Sequence, residues 1–349
     1  MSRFVRPNIA SMAGYVPGEQ PQNGGFIKLN TNENPYPPSP NVKEALAEAV
    51  SDRLRLYPDP MAAEFRGVAA QLHGVDPATV LAGNGSDDLL TIITRALVGP
   101  GDPAGFPSPS YLLYPTLVEL QDGRPVAVPY TRDWTLDPRA LAVPGLKLVY
   151  LANPDSPSGT ALDREQIAEL ATSVECPLVV DEAYADFADP RCHAIPLLNA
   201  HPNLIVTRSL SKGYSLAGIR LGYLVARPEI VVHLIKVKDS YNCGRLSQVA
   251  GAAALRDQAY LAGTRSRIQA TRSRLSAALR TIGYEVPASQ ANFVWATGGP
   301  PARETFQHLK ERKILVRLMS YPGYPDGLRI SIGTDEEIDR LLETINRIA

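Results

Sequence analysis

Lys212 stands out among the residues able to do chemistry because of its neighbours. The segment Thr207-Arg208-Ser209-Leu210-Ser211-Lys212-Gly213-Tyr214 runs on to Arg220-Leu221-Gly222, so hydroxyls, an amine and a guanidinium lie among glycines directly after an apolar run. Hydroxyls, flexible backbone and an arginine suit capture of a phosphate, which a guanidinium takes bidentately. A lysine beside such a site can supply the nucleophilic amine for a carbonyl-bearing cofactor. The other lysines (Lys28, Lys43, Lys147, Lys236, Lys238, Lys310 and Lys313) mostly sit in amphipathic or strand-edge contexts, where a solvated charge is role enough.

Pyridoxal phosphate makes this demand of a protein. Its aldehyde bonds a lysine amine, and the same amine later carries the proton at the substrate α-carbon. The ring draws in electrons only while its nitrogen is protonated, which requires a nearby carboxylate. Asp181 follows the apolar run Pro177-Leu178-Val179-Val180, where ligands of parallel sheets collect, and Tyr184 is spaced to donate to the ring hydroxyl. Alone, Asp181 reads as a helix cap; beside Lys212 it reads as the ring-nitrogen partner. Gly83-Asn84-Gly85-Ser86-Asp87 opens a helix, either as a simple Ser/Asp cap or as an anion site made of free N–H groups behind glycines. It lacks the third glycine of a dinucleotide fingerprint.

Asp181-Glu182-Ala183-Tyr184, the run from Ser211-Lys212 to Arg220-Leu221-Gly222, and the Asn32-Glu33-Asn34-Pro35 arm resemble fold-type I aminotransferases, in particular the histidinol-phosphate aminotransferase family. The resemblance covers essentially the whole chain, in order. It implies a pyridoxal phosphate-dependent transaminase of the class II type, with Lys212 bonded to the cofactor, Asp181 on the pyridine nitrogen and Tyr184 on the ring hydroxyl. By the same resemblance Gly85, Ser86, Asp87, Ser209, Ser211 and Arg220 hold the cofactor phosphate, and Tyr111 stacks on the ring, which its flat face suits. Tyr57, in Leu56-Tyr57-Pro58, is similar to a tyrosine that reaches the neighbouring subunit's cofactor, implying a homodimer with shared sites.

The resemblance also implies that Arg329, in Leu328-Arg329-Ile330, grips the substrate carboxylate, with Arg317 near a substrate phosphate. Tyr15, in Tyr15-Val16-Pro17-Gly18, and Asn32 match arm residues that close over substrate, and Asn292 matches a family position of structural character. One loop departs from the pattern. The family's Asn-Pro-Asn-Asn-Pro-Thr-Gly is here Asn153-Pro154-Asp155-Ser156-Pro157-Ser158-Gly159, which puts Ser156 where an asparagine binds the ring hydroxyl. Loss of one neutral hydrogen bond costs about 0.5–1.5 kcal/mol, a tuning effect.

The elements that must position these groups follow from pattern. Short apolar runs at Leu146 to Leu151, Pro177 to Val180 and Leu204 to Thr207 alternate with helical spans such as Asp163 to Ser173, predicting an α/β large domain with a mostly parallel sheet between helices. A helix begins at Asn41 as its N-cap; a long helix from Ser247 to Ile282 breaks near Gly263. Strands at Asn292 to Ala296, Ile314 to Leu318 and Leu328 to Ile332, with helices at Ala302 to Arg312 and from Asp335, predict a smaller α+β domain. The expected division is residues 30–246 for the cofactor domain, with 1–29 and 247–349 forming the arm and small domain.

Composition narrows the partners. Over 349 residues the formal net charge is −1, against a general nucleic-acid or membrane-surface binder. Cys176, Cys192 and Cys243 are too few and too scattered for a disulfide framework, and His73, His193, His201, His233 and His308 have no metal-ligand spacing. With no secretory pattern and no apolar run of about 18 residues, a cytoplasmic protein is expected, without metal. The leading reaction is histidinol phosphate plus 2-oxoglutarate to imidazole-acetol phosphate plus glutamate. Aromatic amino acid transamination and threonine-phosphate decarboxylation are the enzymatic alternatives; a cofactor-binding regulatory module is the non-enzymatic one.

Overall fold

A computed structural model describes residues 4–15, 18–21 and 24–347. Val16 and Pro17 of the Tyr15 motif lie outside the described residues. The chain opens with α1 (Pro7–Ser11), β1 (Ile27–Lys28), α2 (Pro40–Ala49) and α3 (Ala63–His73). Helix α2 begins before Asn41: the Ser39 hydroxyl accepts from the Asn41 amide, and Pro40 takes the first helical position, where no N–H is needed.

Strands and helices then alternate through β2 (Val80–Gly83), α4 (Ser86–Leu97), β3 (Pro103–Ser108), α5 (Leu113–Leu120), β4 (Arg124–Pro129), β5 (Leu148–Ala152), α6 (Arg164–Ser173), β6 (Leu178–Asp181), β7 (Leu204–Ser209) and β8 (Gly222–Ala226). These strands form one seven-stranded sheet in the order β2-β8-β7-β6-β5-β3-β4, parallel except where β8 meets β7 and β2. Strands β5 to β8 are buried along their whole length, which explains continuous rather than alternating apolar residues. Side chains of β6 divide between two cores. Leu178 and Val180 pack with Phe65 of α3 and Ile167 of α6, while Val179 packs with Ile93 of α4 and Leu117 of α5 on the other face. The α/β class is as expected.

The remainder comprises α7 (Pro228–Val237), α8 (Arg245–Arg256), α9 (Gln258–Ile282), β9 (Phe293–Ala296), α10 (Ala302–Glu311), β10 (Ile314–Leu315), β11 (Arg317–Met319), β12 (Gly327–Ser331) and α11 (Asp335–Asn346). The break between α8 and α9 falls at Asp257, whose carboxylate caps α9 through the Tyr260 amide; Gly263 lies inside α9. The expected strand from Ile314 splits in two. Strand β10 pairs parallel with β1, and β11 joins an antiparallel sheet β11-β12-β9. Leu29 and Tyr36 of the arm share a core with Ile268, Val294, Ile330 and Leu341. The arm thus lies against the C-terminal third of the chain.

Candidate active site

A cavity of about 410 Å³ opens beyond the carboxyl ends of β5, β6 and β7, between the N-terminus of α4, the arm and strands β11 and β12. Asp181 is the last residue of β6 and is only 4% exposed. Its partners are neutral: Tyr114 Oη donates to Oδ2 and Thr207 Oγ1 to Oδ1, both at 3.0 Å. Burial pushes the carboxyl up to about 6, against those hydrogen bonds, so at neutral pH it is chiefly ionised. A buried carboxylate with neutral donors calls for a cation, as a protonated ring nitrogen provides.

Lys212 lies in the loop after β7 and projects into the same cavity. Its Nζ donates to the Thr31 carbonyl at 2.9 Å and lies 5.9 Å from the centre of the Tyr184 ring. Desolvation, followed by the positive charge of Arg329, lowers the amine to about 8, opposed by Glu33 and Asp87. A substantial share of neutral amine, the nucleophilic form, therefore exists near physiological pH. The Tyr184 hydroxyl accepts from Asn32 Nδ2 at 3.0 Å. Asn32 is itself held in left-handed backbone (φ 57°) by Ser331, whose hydroxyl accepts from the Asn32 amide and donates to its Oδ1. Asn292 Nδ2 donates to the Asn32 carbonyl, so its contribution is to fix the arm.

The residues expected to hold a phosphate are crowded together. Helix α4 is preceded by Gly85 as its N-cap, which brings no capping side chain to the first turn. Gly85 has φ 87°, and a Cβ there would stand 2.7 Å from the Arg220 guanidinium. Only glycine admits that arginine against the helix N-terminus. Arg220 Nη1 donates to Ser211 Oγ at 3.3 Å, the Ser211 amide to Ser209 Oγ at 3.2 Å, and Ser86, Ser209 and Ser211 all line the cavity. These donors fit a phosphate. Asp87 is less simply a phosphate ligand, since its Oδ1 accepts from Tyr111 Oη at 3.0 Å and its Oδ2 stands 3.6 Å from Arg220. It aims Tyr111 over the cavity, and Tyr15 meets that ring edge-on at 6.1 Å.

On the opposite wall, Arg317 and Arg329 are direct cross-strand partners of β11 and β12, and both line the cavity. Like charges directly opposite on a sheet repel unless an anion lies between them. Arg329 donates to Ser156 Oγ at 2.9 Å and to the Asn30 carbonyl at 3.2 Å, and its buried Nε has no hydrogen-bond partner among the described residues. Ser156 therefore holds Arg329 in place.

Of the residues singled out in the sequence, the structure gathers all but three around the cavity; Asn292 is buried behind Asn32. Gly85 lies just behind the cavity, and Tyr57 faces away: it is 80% exposed and stacks on Tyr241 at 4.4 Å. Sequence reasoning assigned no role to Tyr114 or Thr207, which hold Asp181, nor to Asn34, whose Nδ2 donates to the carbonyls of Lys212 and Gly213. Thr207 had a signal, a hydroxyl closing an apolar strand; it stands level with Asp181 in the β6–β7 register. Asp155 was also passed over. It is fully buried, accepts from Ser110 and Ser158, and burial pushes it up to about 6. No cluster suited to a metal ion occurs among the described residues.

Fold and cavity together define a transaminase of the pyridoxal phosphate-dependent class. The family model Aminotransferase class I and II matches residues 25–345. The histidinol-phosphate aminotransferase of Rhodopirellula baltica is 49% identical over 98% of this chain and 95% of its own length; that of Geobacter sulfurreducens is 49% identical over 98% and 99%. The structure of histidinol-phosphate aminotransferase from Sinorhizobium meliloti in complex with pyridoxal-5'-phosphate superposes with a TM-score of 0.92 at 30% identity, over 100% of this chain and 99% of that one. The chain belongs to the class I and II aminotransferases and, among them, to the histidinol-phosphate aminotransferase family.

Proposed function

We propose that the protein transfers an amino group between histidinol phosphate and 2-oxoglutarate, giving imidazole-acetol phosphate and glutamate, a step of histidine biosynthesis. The observation that carries this reading is the register of Arg317 opposite Arg329, two cations facing one cavity with Lys212 on its other side. The names of the most similar relatives agree with it.

Pyridoxal phosphate, when bound, supplies an aldehyde for amines and a ring that takes up electrons. Ser86, Ser209, Ser211, Arg220 and the first turn of α4 bind its phosphate; Tyr111 covers the ring face. Asp181 keeps positive charge on the ring nitrogen, and Tyr184, held by Asn32, donates to the ring hydroxyl. Lys212 Nζ would take the proton from the substrate α-carbon and hold it for return two atoms away, across the amino nitrogen. Arg329, braced by Ser156, orients the carboxylate of glutamate, and Arg317 meets the phosphate of the second substrate. Tyr15 closes against Tyr111 and excludes water.

Steady-state comparison of histidinol phosphate, phenylalanine and phosphothreonine decides the substrate, and a higher kcat/KM for phenylalanine than for histidinol phosphate rejects this assignment. For Arg317→Gln the expected result is a KM for histidinol phosphate raised about 10–100-fold, the worth of a charge-assisted hydrogen bond, with kcat changed far less. An unchanged KM removes Arg317 from phosphate recognition.

The working unit is a homodimer in which Tyr57 reaches the neighbouring cavity. Its support is an exposed apolar face where Leu54, Leu56 and Tyr57 lie close in sequence and Tyr57 stacks on the half-exposed Tyr241. Sedimentation at micromolar concentration is expected to give twice the 37.8 kDa chain mass, and a monomer would contradict it. A cytoplasmic location fits the absence, among the described residues, of any helix long and apolar enough to cross a membrane. The division into a cofactor domain at 30–246 and an arm-plus-small domain is supported by the separate sheets, although α8 still packs with Phe65 of α3 and Tyr223 of β8.

A further inference from the structure

Behind the cavity lies a buried charge cluster that the chemistry above leaves unused. Glu182 follows Asp181 and points away from the cavity; Arg208, from β7, does the same. Their side chains are 0% and 7% exposed, and Arg208 Nε lies 2.6 Å from Glu182 Oε2. Glu182 Oε1 is anchored by the Ala194 amide at 2.5 Å. The other arm of the guanidinium donates to Asp186 Oδ1 at 3.2 Å. Two carboxylates and one cation thus sit out of water, an arrangement that removal of any partner penalises heavily.

The free end of this cluster touches the catalytic loop. A Cβ on Gly213 would collide with Asp186 Oδ2, so the backbone immediately after Lys212 rests on that carboxylate. From the other direction Asn34 Nδ2 donates to the Lys212 and Gly213 carbonyls, both at 3.1 Å. The loop is therefore gripped between an amide from the arm and a carboxylate locked to the sheet through Arg208 and Glu182.

We propose that Asp186, clamped by Arg208 and Glu182 against the Gly213 backbone, is a positioning residue that fixes where the Lys212 amine enters the cavity. It touches neither substrate nor cofactor and acts through Lys212. The proposal rests on the transaminase reading for what Lys212 does, but not for where it is held. The charged groups facing Asp186 are Arg208, Glu182, His193 and Arg265; those facing the Lys212 amine are Arg329, Glu33, Asp87 and Arg220.

The test uses Asp186→Asn, which removes the charge and keeps the shape, and Gly213→Ala, which removes no charge and pushes the loop from its seat. Cofactor-free proteins are treated with trinitrobenzenesulfonate across the neutral to alkaline range, and modification of Lys212 is read by peptide mass. Both variants are expected to alter the pH profile of Lys212 modification and to weaken pyridoxal phosphate binding. In the loaded enzymes kcat is expected to fall about 10–100-fold with KM for glutamate little changed, the cost of a misplaced reacting group. A wild-type Lys212 profile with wild-type kcat in either folded variant overturns the proposal. So does a kcat loss that vanishes when scaled to the folded fraction, as a purely structural role predicts. If Asp186→Asn does not fold, Gly213→Ala decides alone. Because the modification profile is read without substrate, it stands or falls separately from the transaminase reading.

Discussion

Lys212→Ala is expected to lose turnover by at least about 10³–10⁴-fold while the fold is kept. Acid–base catalysis alone contributes about 10²–10⁴-fold, and in the proposed reaction this amine is also the covalent attachment point. The fold has little reason to suffer. The amine makes one hydrogen bond, to the Thr31 carbonyl, and burial has already lowered it to about 8. A base whose folded value lies below its unfolded one costs stability while protonated, so the wild-type protein loses stability as pH falls from about 10.5 through about 8. The alanine variant lacks that loss and is expected to melt no lower than wild type at pH 7. Single-turnover measurement with glutamate checks the chemistry; a wild-type rate would end the assignment of Lys212.

Asp181→Asn is expected to separate activity from stability in the opposite sense. If Asp181 meets the ring nitrogen as proposed, removing this preorganised charge costs about 10²–10³-fold in kcat, on the pattern of electrostatic transition-state groups. The same change stabilises the cofactor-free protein. Burial raises this carboxyl from 3.8 to about 6, so between those values the native state holds a proton that the unfolded chain has released. Stability therefore falls as pH rises through that window and remains lower above it. At neutral pH the penalty is on the order of 2–3 kcal/mol, and asparagine is free of it. Asp155 carries the same direction of shift but is present in both proteins and cancels. Thermal unfolding of the two cofactor-free proteins should show the variant melting higher at pH 8 and nearly alike below pH 4. A variant that melts lower at pH 8 refutes the idea that Asp181 waits for a cation.

What could be read from the sequence was chemistry carried by a few polar residues beside apolar strands. Asp181 closes β6 and Lys212 follows β7, while Arg220 lies just before the antiparallel β8, so all three come to the same end of the sheet. What could not be read depended on register or on competition between caps. Arg317 and Arg329 are apart in sequence, and only the β11–β12 pairing makes them face each other. Tyr114 reaches Asp181 across two elements. Asp257 outcompeted Gly263 as a helix break because a carboxylate can cap the next helix and also receive Ser39 and Asn41. A lone glycine in a surface helix costs only about 1 kcal/mol. Ser39 likewise preceded Asn41 as the cap because Pro40 can only start a helix.

The pairing of β1 with β10 has a consequence for the order of assembly. During synthesis the seven-stranded sheet can close once β8 has emerged, roughly a hundred residues before β12 exists. Asn32, which orients Tyr184, waits for Ser331, 299 positions later. Such distant contacts form late, and vectorial synthesis delays them further. A nascent chain on the ribosome can therefore own a complete sheet, with Asp181 and Lys212 already at the carboxyl ends of its central strands, and still lack the wall that carries Arg317 and Arg329. Competence to react arrives as a final event, when the first strand of the chain meets almost the last.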